Sequence, residues 1–359
     1  MYIKALFIIF NVLLITLTAN AQWLKLDSTE TYKGKQDDIF FINEDIGWYV
    51  NGAGKIFKTY NGGNSWKLKL NKPGTYFRCI GFADSLLGWA GNIGTDYFPN
   101  VTDTLPLYET IDGGNNWTAV KSLSNKKIKG LCAIDIQNIK YINAGVLDTK
   151  TIIYAGGRVG SPAWLIKSID GGKNFTVIDM GNYCKMILDV KFFGIDTGFV
   201  FAANSDDVEK SNALILQTCD GGKTWQQKYQ SNRPYELCWK ASFANRKTGF
   251  ATLQSYNPDS TITQRYILKT IDGGGTWHEI LLCNDFAIRE FGIGFINENV
   301  GWVGCNKTGF ETTNGGKTFE KVEMGKAVNK VKTVTSKNKK ISFAIGSNIY
   351  KRTDIKNDK

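Results

Sequence analysis

Histidine is nearly absent from this chain: His278 is the single one among 359 residues. Zinc sites of the mixed Cys/His type and histidine-based catalytic triads are therefore not expected. The sequence also contains no CxxC pair, no GxSxG nucleophile elbow, no P-loop and no Rossmann glycine fingerprint. We therefore predict a protein without a metal, a cofactor or a catalytic residue of these kinds.

Cysteine is present but odd in number, which limits the disulfides that the chain can form. The seven cysteines are Cys79, Cys132, Cys184, Cys219, Cys238, Cys283 and Cys305. In an exported chain, an odd count leaves at least one thiol unpaired. Buried free thiols and one or two disulfides both remain open at this point.

Long apolar runs are scarce, and the one candidate lies at the N-terminus. Lys4 precedes an apolar stretch from Ala5 to Leu17, and Ala19-Asn20-Ala21 then follows the A-x-A cleavage pattern. These features predict a signal peptide over residues 1–21, cut near Ala21. No later run approaches the length of a membrane-spanning helix. We expect an exported protein, periplasmic or secreted, without a transmembrane segment after cleavage.

Negative charge is in the minority, with 33 acidic against 44 basic residues and a formal net charge of +11. The lysines are spread along the chain, and no basic run is interleaved with aromatic residues. This distribution is typical of a solvated surface and does not predict a nucleic-acid site.

One eight-residue pattern recurs six times, which is the main organising feature of the sequence. The copies are TYNGGNSW from Thr59, TIDGGNNW from Thr110, SIDGGKNF from Ser168, TCDGGKTW from Thr218, TIDGGGTW from Thr270 and TTNGGKTF from Thr312. They recur at intervals of roughly 40 to 60 residues, close to the length of a four-stranded propeller blade.

The chemistry of the repeat is that of a hairpin turn. Asp or Asn bonds downstream amides, the glycines supply positive φ, and the final aromatic residue packs against a sheet. We therefore assign structural roles, and neither catalysis nor calcium binding, to Asn61, Asp112, Asp170, Asp220, Asp272, Asn314, Trp66, Trp117, Phe175, Trp225, Trp277 and Phe319.

A second element, Gly-Trp or Gly-Phe, precedes most of these turns, as at Gly47-Trp48 and Gly301-Trp302. An apolar strand lies upstream of it, so each unit is predicted to contain four consecutive strands. The predicted blades cover residues 36–70, 76–121, 128–179, 184–229, 236–281, 287–322 and 327–353.

The two ends of the chain complement each other. The segment from Gln22 and Trp23 resembles the outer strand around Trp66, whereas the C-terminal segment 347–353 ends before any outer strand. We predict that residues 22–28 complete the last blade, which removes an exposed sheet edge. The prediction is an all-β, seven-bladed β-propeller of four-stranded blades over residues 22–355, with a tail at 356–359.

The TxDGGxxW turns resemble the BNR/Asp-box repeats of sialidases, sortilin-type receptors and some glucan hydrolases. The combination of a GW strand with an Ile-x-x-T-x-[DN]-G-G-x-x-W strand, cleanest from Gly47 to Trp66, is more similar to the photosystem II stability/assembly factor family and its non-photosynthetic bacterial relatives. That resemblance implies a non-catalytic propeller that holds partner proteins, here a protein or envelope partner.

Segment lengths point to one face of the propeller. The segments between the second and third strands are extended over about residues 92–107, 143–163, 202–213 and 252–265, so we expect them to thicken the face opposite the Asp boxes. Arginine is scarce, and four arginines are candidate ligands for a carboxylate or an acidic partner segment. Arg78 and Arg289 start innermost strands near the central channel. Arg233 lies in a connection between blades, and Arg265 ends one of the long segments. Ordinary charges solvated in a wet channel are the alternative.

The alternative is a glycoside hydrolase, sialidase-like or glucan-directed. Phe77-Arg78-Cys79-Ile80 resembles the Phe-Arg-Ile-Pro motif of sialidases, but it lacks the proline and follows the first Asp box. A glucan hydrolase needs two carboxylates across a cleft. The candidates for that role are Asp96, Asp103, Asp206, Asp207 and Glu236, and a glycan ligand remains an alternative to a protein partner.

Overall fold

The structure is a computed structural model that describes residues 21–123, 127–143, 146–157, 160–337 and 339–355. It contains seven four-stranded antiparallel sheets, and each sheet is built from consecutive strands except where the chain ends meet. The predicted signal peptide lies almost wholly outside the described residues. In the part described, no helix has the length and apolar character needed to cross a membrane.

The chain begins with a short strand, β1 (Leu24–Lys25), and then forms the blades in order. Blade 1 contains β2 (Gln36–Phe41), β3 (Gly47–Asn51), β4 (Lys55–Thr59) and β5 (Lys67–Asn71). Blade 2 contains β6 (Phe77–Phe82), β7 (Gly88–Asn92), β8 (Leu107–Thr110) and β9 (Thr118–Ala119). Blade 3 contains β10 (Ala133–Asn143), β11 (Val146–Gly157), β12 (Trp164–Ser168) and β13 (Thr176–Asp179).

The second half of the ring repeats this order. Blade 4 contains β14 (Met186–Phe192), β15 (Gly198–Ala203), β16 (Ala213–Thr218) and β17 (Gln226–Gln230). Blade 5 contains β18 (Glu236–Phe243), β19 (Gly249–Ser255), β20 (Gln264–Thr270) and β21 (His278–Asn284). Blade 6 contains β22 (Glu290–Phe295), β23 (Gly301–Cys305), β24 (Gly309–Thr312) and β25 (Glu320–Val322), and blade 7 contains β26 (Lys330–Ser336), β27 (Lys339–Ile345) and β28 (Ile349–Ile355). Two 3₁₀ turns lie at Lys121–Leu123 and Val208–Lys210.

The two chain ends close the ring, as the sequence predicted. β1 pairs antiparallel with β28, with Leu24 opposite Lys351, and becomes the outer strand of blade 7. Trp23 is buried there, with its ring edge-on to Trp302 of blade 6 at 5.3 Å between centroids. The pairing covers part of the last blade's edge and joins the first described residues to the last.

Apolar clusters join each blade to the next, and the Gly-Trp element explains part of their density. The cluster between blades 1 and 2 contains Trp48, which stacks on Phe82 at 3.6 Å between ring centroids. A Cβ at Gly88 would lie 2.4 Å from the Phe82 ring. The glycine of the element is therefore needed because the phenylalanine of the innermost strand lies directly against its backbone.

The Asp boxes form the turns between the third and fourth strands. In blade 2, Asp112 Oδ1 accepts bonds from the amides of Asn115 and Asn116 at 2.9 Å and from the Thr110 hydroxyl at 2.9 Å. The bonds from Asn116 and its neighbours lower the pKa of Asp112 to about 2. Trp117 packs edge-on to Phe82 at 5.9 Å. This carboxylate is fully occupied by its own turn.

A lysine of the third strand links blades 1, 3, 5 and 7 to the box of the next blade. Its ammonium donates to the carbonyl of the first box glycine in the next blade, at 2.7–3.0 Å. The pairs are Lys58 with Gly113, Lys167 with Gly221, Lys269 with Gly315 and Lys351 with Gly62. The last pair spans the closure of the ring.

The antiparallel order places the Asp boxes and the first turn of each blade on one face, which we call the box face. The connections between the second and third strands lie on the other face, which we call the loop face. The prediction that residues 143–163 thicken the loop face is wrong for most of that segment. β10 and β11 pair continuously from Ala133 to Asn143, whereas β12 pairs with β11 only from Ile153 onward. Residues 137–143 and 146–152 therefore project beyond the box face, and we call these two strand segments the ribbon.

No disulfide joins any of the seven cysteines, all of which lie in the described residues. Five of them are buried, whereas Cys219 is exposed and Cys283 is half-buried. Burial raises the pKa of Cys184 to about 12 and that of Cys283 to about 11, so both are protonated at neutral pH.

Candidate functional site

The innermost strands of the blades begin at the loop face and surround the central channel. At that end the channel is filled by apolar side chains from blades 2 to 5, including Cys132, Met186, Leu188 and Trp239. The channel is therefore closed beneath the loop face. We call the part of the loop face above this layer the mouth.

A polar network forms the floor of the mouth. Arg78 is buried, its Nη1 lies 2.8 Å from Asp37 Oδ1, and its guanidinium lies 5.4 Å from the centre of the Trp239 ring. Asn329 accepts a bond from the Trp239 indole at 3.2 Å and donates to the Asp37 carbonyl at 2.6 Å. Although burial opposes its charge, the Asp37 carboxylate raises the pKa of Arg78 above its usual value. Arg78 is thus an internal ion-pair partner and is not exposed to a ligand.

Lys35 stands between this floor and solvent. Its Nζ donates to Asn329 Oδ1 at 3.1 Å and lies 5.6 Å and 5.3 Å from the ring centres of Trp239 and Phe291. Burial, and then repulsion by Arg78, lower its pKa to about 7. Since 24% of the side chain remains accessible, Lys35 can be approached from outside. It is a lysine that gains and loses its charge near neutral pH.

Two long loops bring aromatic side chains over this floor. The loop at 93–106 carries Tyr97 and Phe98, and Phe98 stacks on Tyr76 at 4.7 Å between centroids. The loop at 256–263 begins with Tyr256, whose ring lies 4.9 Å from the Arg289 guanidinium. Burial raises the pKa of Tyr256 to about 12, so it stays a neutral hydrogen-bond donor. We call this set the mouth cluster: Lys35, Tyr76, Tyr97, Phe98, Trp239, Tyr256, Arg289 and Phe291.

A cavity of about 380 Å³ adjoins the mouth cluster on the side of blade 1. Tyr76, Phe98, Tyr32 and Val101 line it, together with residues 52–53 and 73–75. The loop that forms its outer wall is well anchored, because Asn92 Nδ2 donates to the carbonyls of residues 103 and 105 at 2.9 and 3.0 Å. The cavity is thus bounded by a fixed loop.

The four arginines predicted as ligands have different surroundings. Arg265 donates to the carbonyls of residues 262, 264, 286 and 288, and Arg233 is paired with Glu236 at 2.6 Å and Glu279 at 2.9 Å. Within the described ranges, Arg289 is exposed and has no carboxylate at ion-pair distance. Arg289 reaches the mouth and Arg78 is buried in its floor, whereas Arg233 and Arg265 brace the connections around blade 5.

The carboxylates considered for hydrolysis are held separately. Asp103 accepts from Thr75 at 2.5 Å and Tyr108 at 2.6 Å, and Glu236 is paired with Arg233. The other contacts are Asp96 with Lys129, Asp206 with Ser161 and Asp207 with Lys210. None of these contacts joins two of the candidates across a cleft.

The comparisons with known proteins support the fold. A scan against protein-family models and a search of curated proteins found no match. Among solved structures, one described as "YCF48 bound to D1 peptide" is similar with a TM-score of 0.63 at 16% identity, covering 96% of this chain and 98% of that one. YCF48 from Cyanidioschyzon merolae gives 0.61 at 15% identity, covering 92% and 98%. The likeness is one of fold.

A GH74 enzyme from Niastella koreensis is similar as well, with a TM-score of 0.59 at 16% identity. The alignment covers 88% of this chain but 51% of the enzyme, so the present chain spans about half of that protein's length. Binding proteins and hydrolases thus share this architecture, and the choice between them depends on the site.

Most of the mouth cluster leaves no signal in the sequence. Arg289, and Arg78 in the floor beneath it, were identified because arginine is scarce, and the long loops were identified by their length. Lys35 and Trp239 were missed, because nothing in their neighbourhood repeats and they meet only when blades 1 and 5 face each other across the channel. Trp239 did carry a signal, since it is one of the few tryptophans outside the box and Gly-Trp positions.

Proposed function

We propose that this protein is an exported, non-catalytic binding propeller that holds a segment of a partner protein in the mouth cluster. The observation that carries the proposal is the convergence of aromatic side chains from two long loops above Lys35, with Arg289 exposed beside them. Aromatic side chains and arginine are typical of the centres of protein interfaces. The segment we expect presents apolar side chains and a carboxylate.

Two further points support the proposal. A protein of the same fold has been seen with a bound peptide, YCF48 with a D1 peptide. In the mouth, the Lys35 ammonium is bonded to Asn329 and the Arg289 guanidinium lies against the Tyr256 ring. Ordering these two groups on binding would therefore cost little entropy. Export rests on the predicted signal peptide alone and is part of the proposal.

The test is affinity capture from the cell envelope with a tagged chain starting at Gln22, read by mass spectrometry. The double variant Tyr97→Ser with Arg289→Gln changes only exposed side chains of the mouth. The matched control is Ile271→Ser on the box face, where the side chain is 66% exposed. We expect a partner that the wild type and the control retain and the mouth variant loses. A partner retained equally by all three would contradict the proposal.

The alternative, a glycoside hydrolase, is favoured by one observation. Glu290 is fully buried, and burial raises its pKa to about 8, so its carboxyl is a proton donor at neutral pH, as the acid of a glycosidase must be. Its complete burial argues against this role, since a glycosidic oxygen has no path to it. Turnover of xyloglucan or a sialoside that Glu290→Gln abolishes would favour the hydrolase.

A further inference from the structure

The ribbon of blade 3 carries apolar side chains that the packing of the blades does not use. Ile142 and Leu147 lie opposite each other on one face of its two strands and are 76% and 65% exposed. Side chains alternate along a strand, so Tyr141, which is 40% exposed, lies on the other face. Both faces of the ribbon thus expose apolar side chains, and the face with Tyr141 is the one that borders a cleft.

A cleft lies on one side of this ribbon. Ile139 and Tyr141 form one wall, Ile169 of the blade 3 box forms the other, and Ile195 of blade 4 lies beneath them. The cleft has a volume of about 570 Å³. Ile139 and Ile195 are half-buried against the cluster between blades 3 and 4, so the base of the cleft is fixed by the core. The cleft is therefore a preformed apolar groove.

The charge available at the cleft is positive. Lys150 and Lys173 line it, and Lys173 is exposed. Its carboxylates already have donors: Asp148 accepts from the Tyr141 hydroxyl at 2.8 Å and the Thr149 amide at 2.7 Å. Asp170 accepts from the amide and side chain of its own box. An incoming carboxylate would thus meet two ammonium groups.

The outer edge of β11 offers backbone groups for pairing. In the described chain, β12 pairs with β11 only from Ile153 to Gly157, so residues 146–152 have no neighbouring strand on that side. The carbonyl of Thr151 accepts a hydrogen bond from the amide of Gly171, in the blade 3 box, at 3.1 Å. The box turn therefore takes the place of β12 beside this residue. The Thr149 amide on this edge is bonded to Asp148, so an added strand would pair through Leu147 and the Thr149 carbonyl.

We propose that this cleft binds an extended segment of a second protein as an added strand along β11, with apolar and acidic residues together on the face turned toward the cleft. Ile139 pairs with Lys150 across the ribbon, so both side chains lie on that face. The apolar side chains would enter the cleft over Ile139 and Ile169, and the acidic ones would meet Lys150 and Lys173. The site lies on the box face, opposite the mouth cluster, and does not depend on the function proposed for the mouth. With both faces occupied, the propeller bridges two proteins.

The test uses a displayed library of random twelve-residue peptides selected on the full chain from Gln22. We expect enriched peptides in which apolar residues and Asp or Glu residues lie two or four positions apart, on one face of an extended chain. We expect Lys150→Glu with Lys173→Glu to weaken their binding by roughly tenfold or more. The matched control, Lys140→Glu, reverses a lysine on the opposite side of the ribbon, and Tyr97→Ser changes the other face. Both should leave the affinity unchanged.

The Tm of each variant checks its folding. Every substituted side chain is at least partly exposed, so we expect each Tm to be unchanged. Enriched peptides without acidic residues, binding that survives the charge reversal, or a library that yields no binder would each overturn the proposal. Sedimentation with phosphatidylglycerol vesicles that requires Ile142 and Leu147 would replace it with a lipid surface. A concentration-dependent dimer that Tyr141→Ser abolishes would replace it with a second copy of this chain.

Discussion

On the box face the same turn recurs in six blades, and each Asp or Asn is bonded to its own turn, whereas no arrangement of side chains in the mouth cluster occurs twice. The box carboxylate of Asp112 has its pKa lowered by hydrogen bonds, and the mouth ammonium of Lys35 has its pKa lowered by burial. The hydrogen bonds that lower the pKa of Asp112 stabilise the fold, whereas the burial that lowers the pKa of Lys35 costs stability. The repeat therefore maintains the ring, while groups that cost stability collect where the blades differ.

The largest effect is expected where the two chain ends meet. Trp23→Ala removes a buried indole from the closure between blades 6 and 7, and we expect the free energy of unfolding to fall by about 3–5 kcal/mol. Denaturant unfolding followed by circular dichroism measures it. Leu24→Ala, at a side chain that is 66% exposed, is the control and should change the free energy by less than about 0.5 kcal/mol. Equal losses in both variants would contradict closure by packing.

The lysine links between blades come next. Lys351→Met removes the bond to the Gly62 carbonyl that spans the ring closure, and we expect a loss of about 1–2 kcal/mol. The control is Lys129→Met, which breaks an exposed pair with Asp96 and should cost less than about 0.5 kcal/mol. If the two variants unfold at the same denaturant concentration, the link makes no contribution to closure.

Lys35 should make stability depend on pH in a defined window. Its pKa is about 7 in the folded chain and near the ordinary 10.5 when unfolded, so between these values the unfolded state binds more protons. Stability attributable to this lysine therefore rises as pH increases from about 7 toward 10.5, and its cost is fully present below pH 7. The difference in unfolding free energy between wild type and Lys35→Met, measured at pH 6 and pH 9, should shrink at the higher pH. A constant difference would show that Lys35 is not buried as described.

The smallest effect is expected in the boxes. Asn already occupies the Asp position in blades 1 and 6, at Asn61 and Asn314, and makes the same turn bonds. Asp112→Asn should therefore lower the unfolding free energy at pH 7 by less than about 1 kcal/mol. Because the folded pKa of Asp112 is about 2, its advantage is lost as pH falls through that value, and the variants should converge there. A large loss at pH 7 would mean that the carboxylate does more than hold its turn.

What could be predicted from the sequence follows the same division. The boxes, the Gly-Trp strands and the outer strand that begins after Trp23 were found because each depends on neighbouring residues and recurs. The ribbon was misplaced because blade 3 lacks a Gly-Trp element, so the start of its second strand had no marker. The blade links were missed although the lysine before the Thr is visible at Lys58, because its partner lies in the next blade.

The mouth cluster shows why the site was only partly predictable. Lys35 precedes blade 1, Trp239 lies in blade 5 and Asn329 precedes blade 7, so their contact depends on the closed ring and leaves no local pattern. Arg265 was proposed as a ligand because it ends a long loop, yet it donates to four carbonyls of the backbone. The scarcity of arginine identified these positions, but it did not separate guanidinium groups bonded within the fold from accessible ones.

The most direct test of the central claim, that the mouth binds a protein, is site-specific photo-crosslinking in cells. A benzophenone amino acid is placed at Tyr97 in the mouth or at Ile111 on the box face, two exposed positions in blade 2. The account predicts a discrete crosslinked protein from position 97 that disappears when Arg289→Gln is added, and none of the same mass from position 111. The same adduct from both positions, or no adduct from position 97, would contradict it.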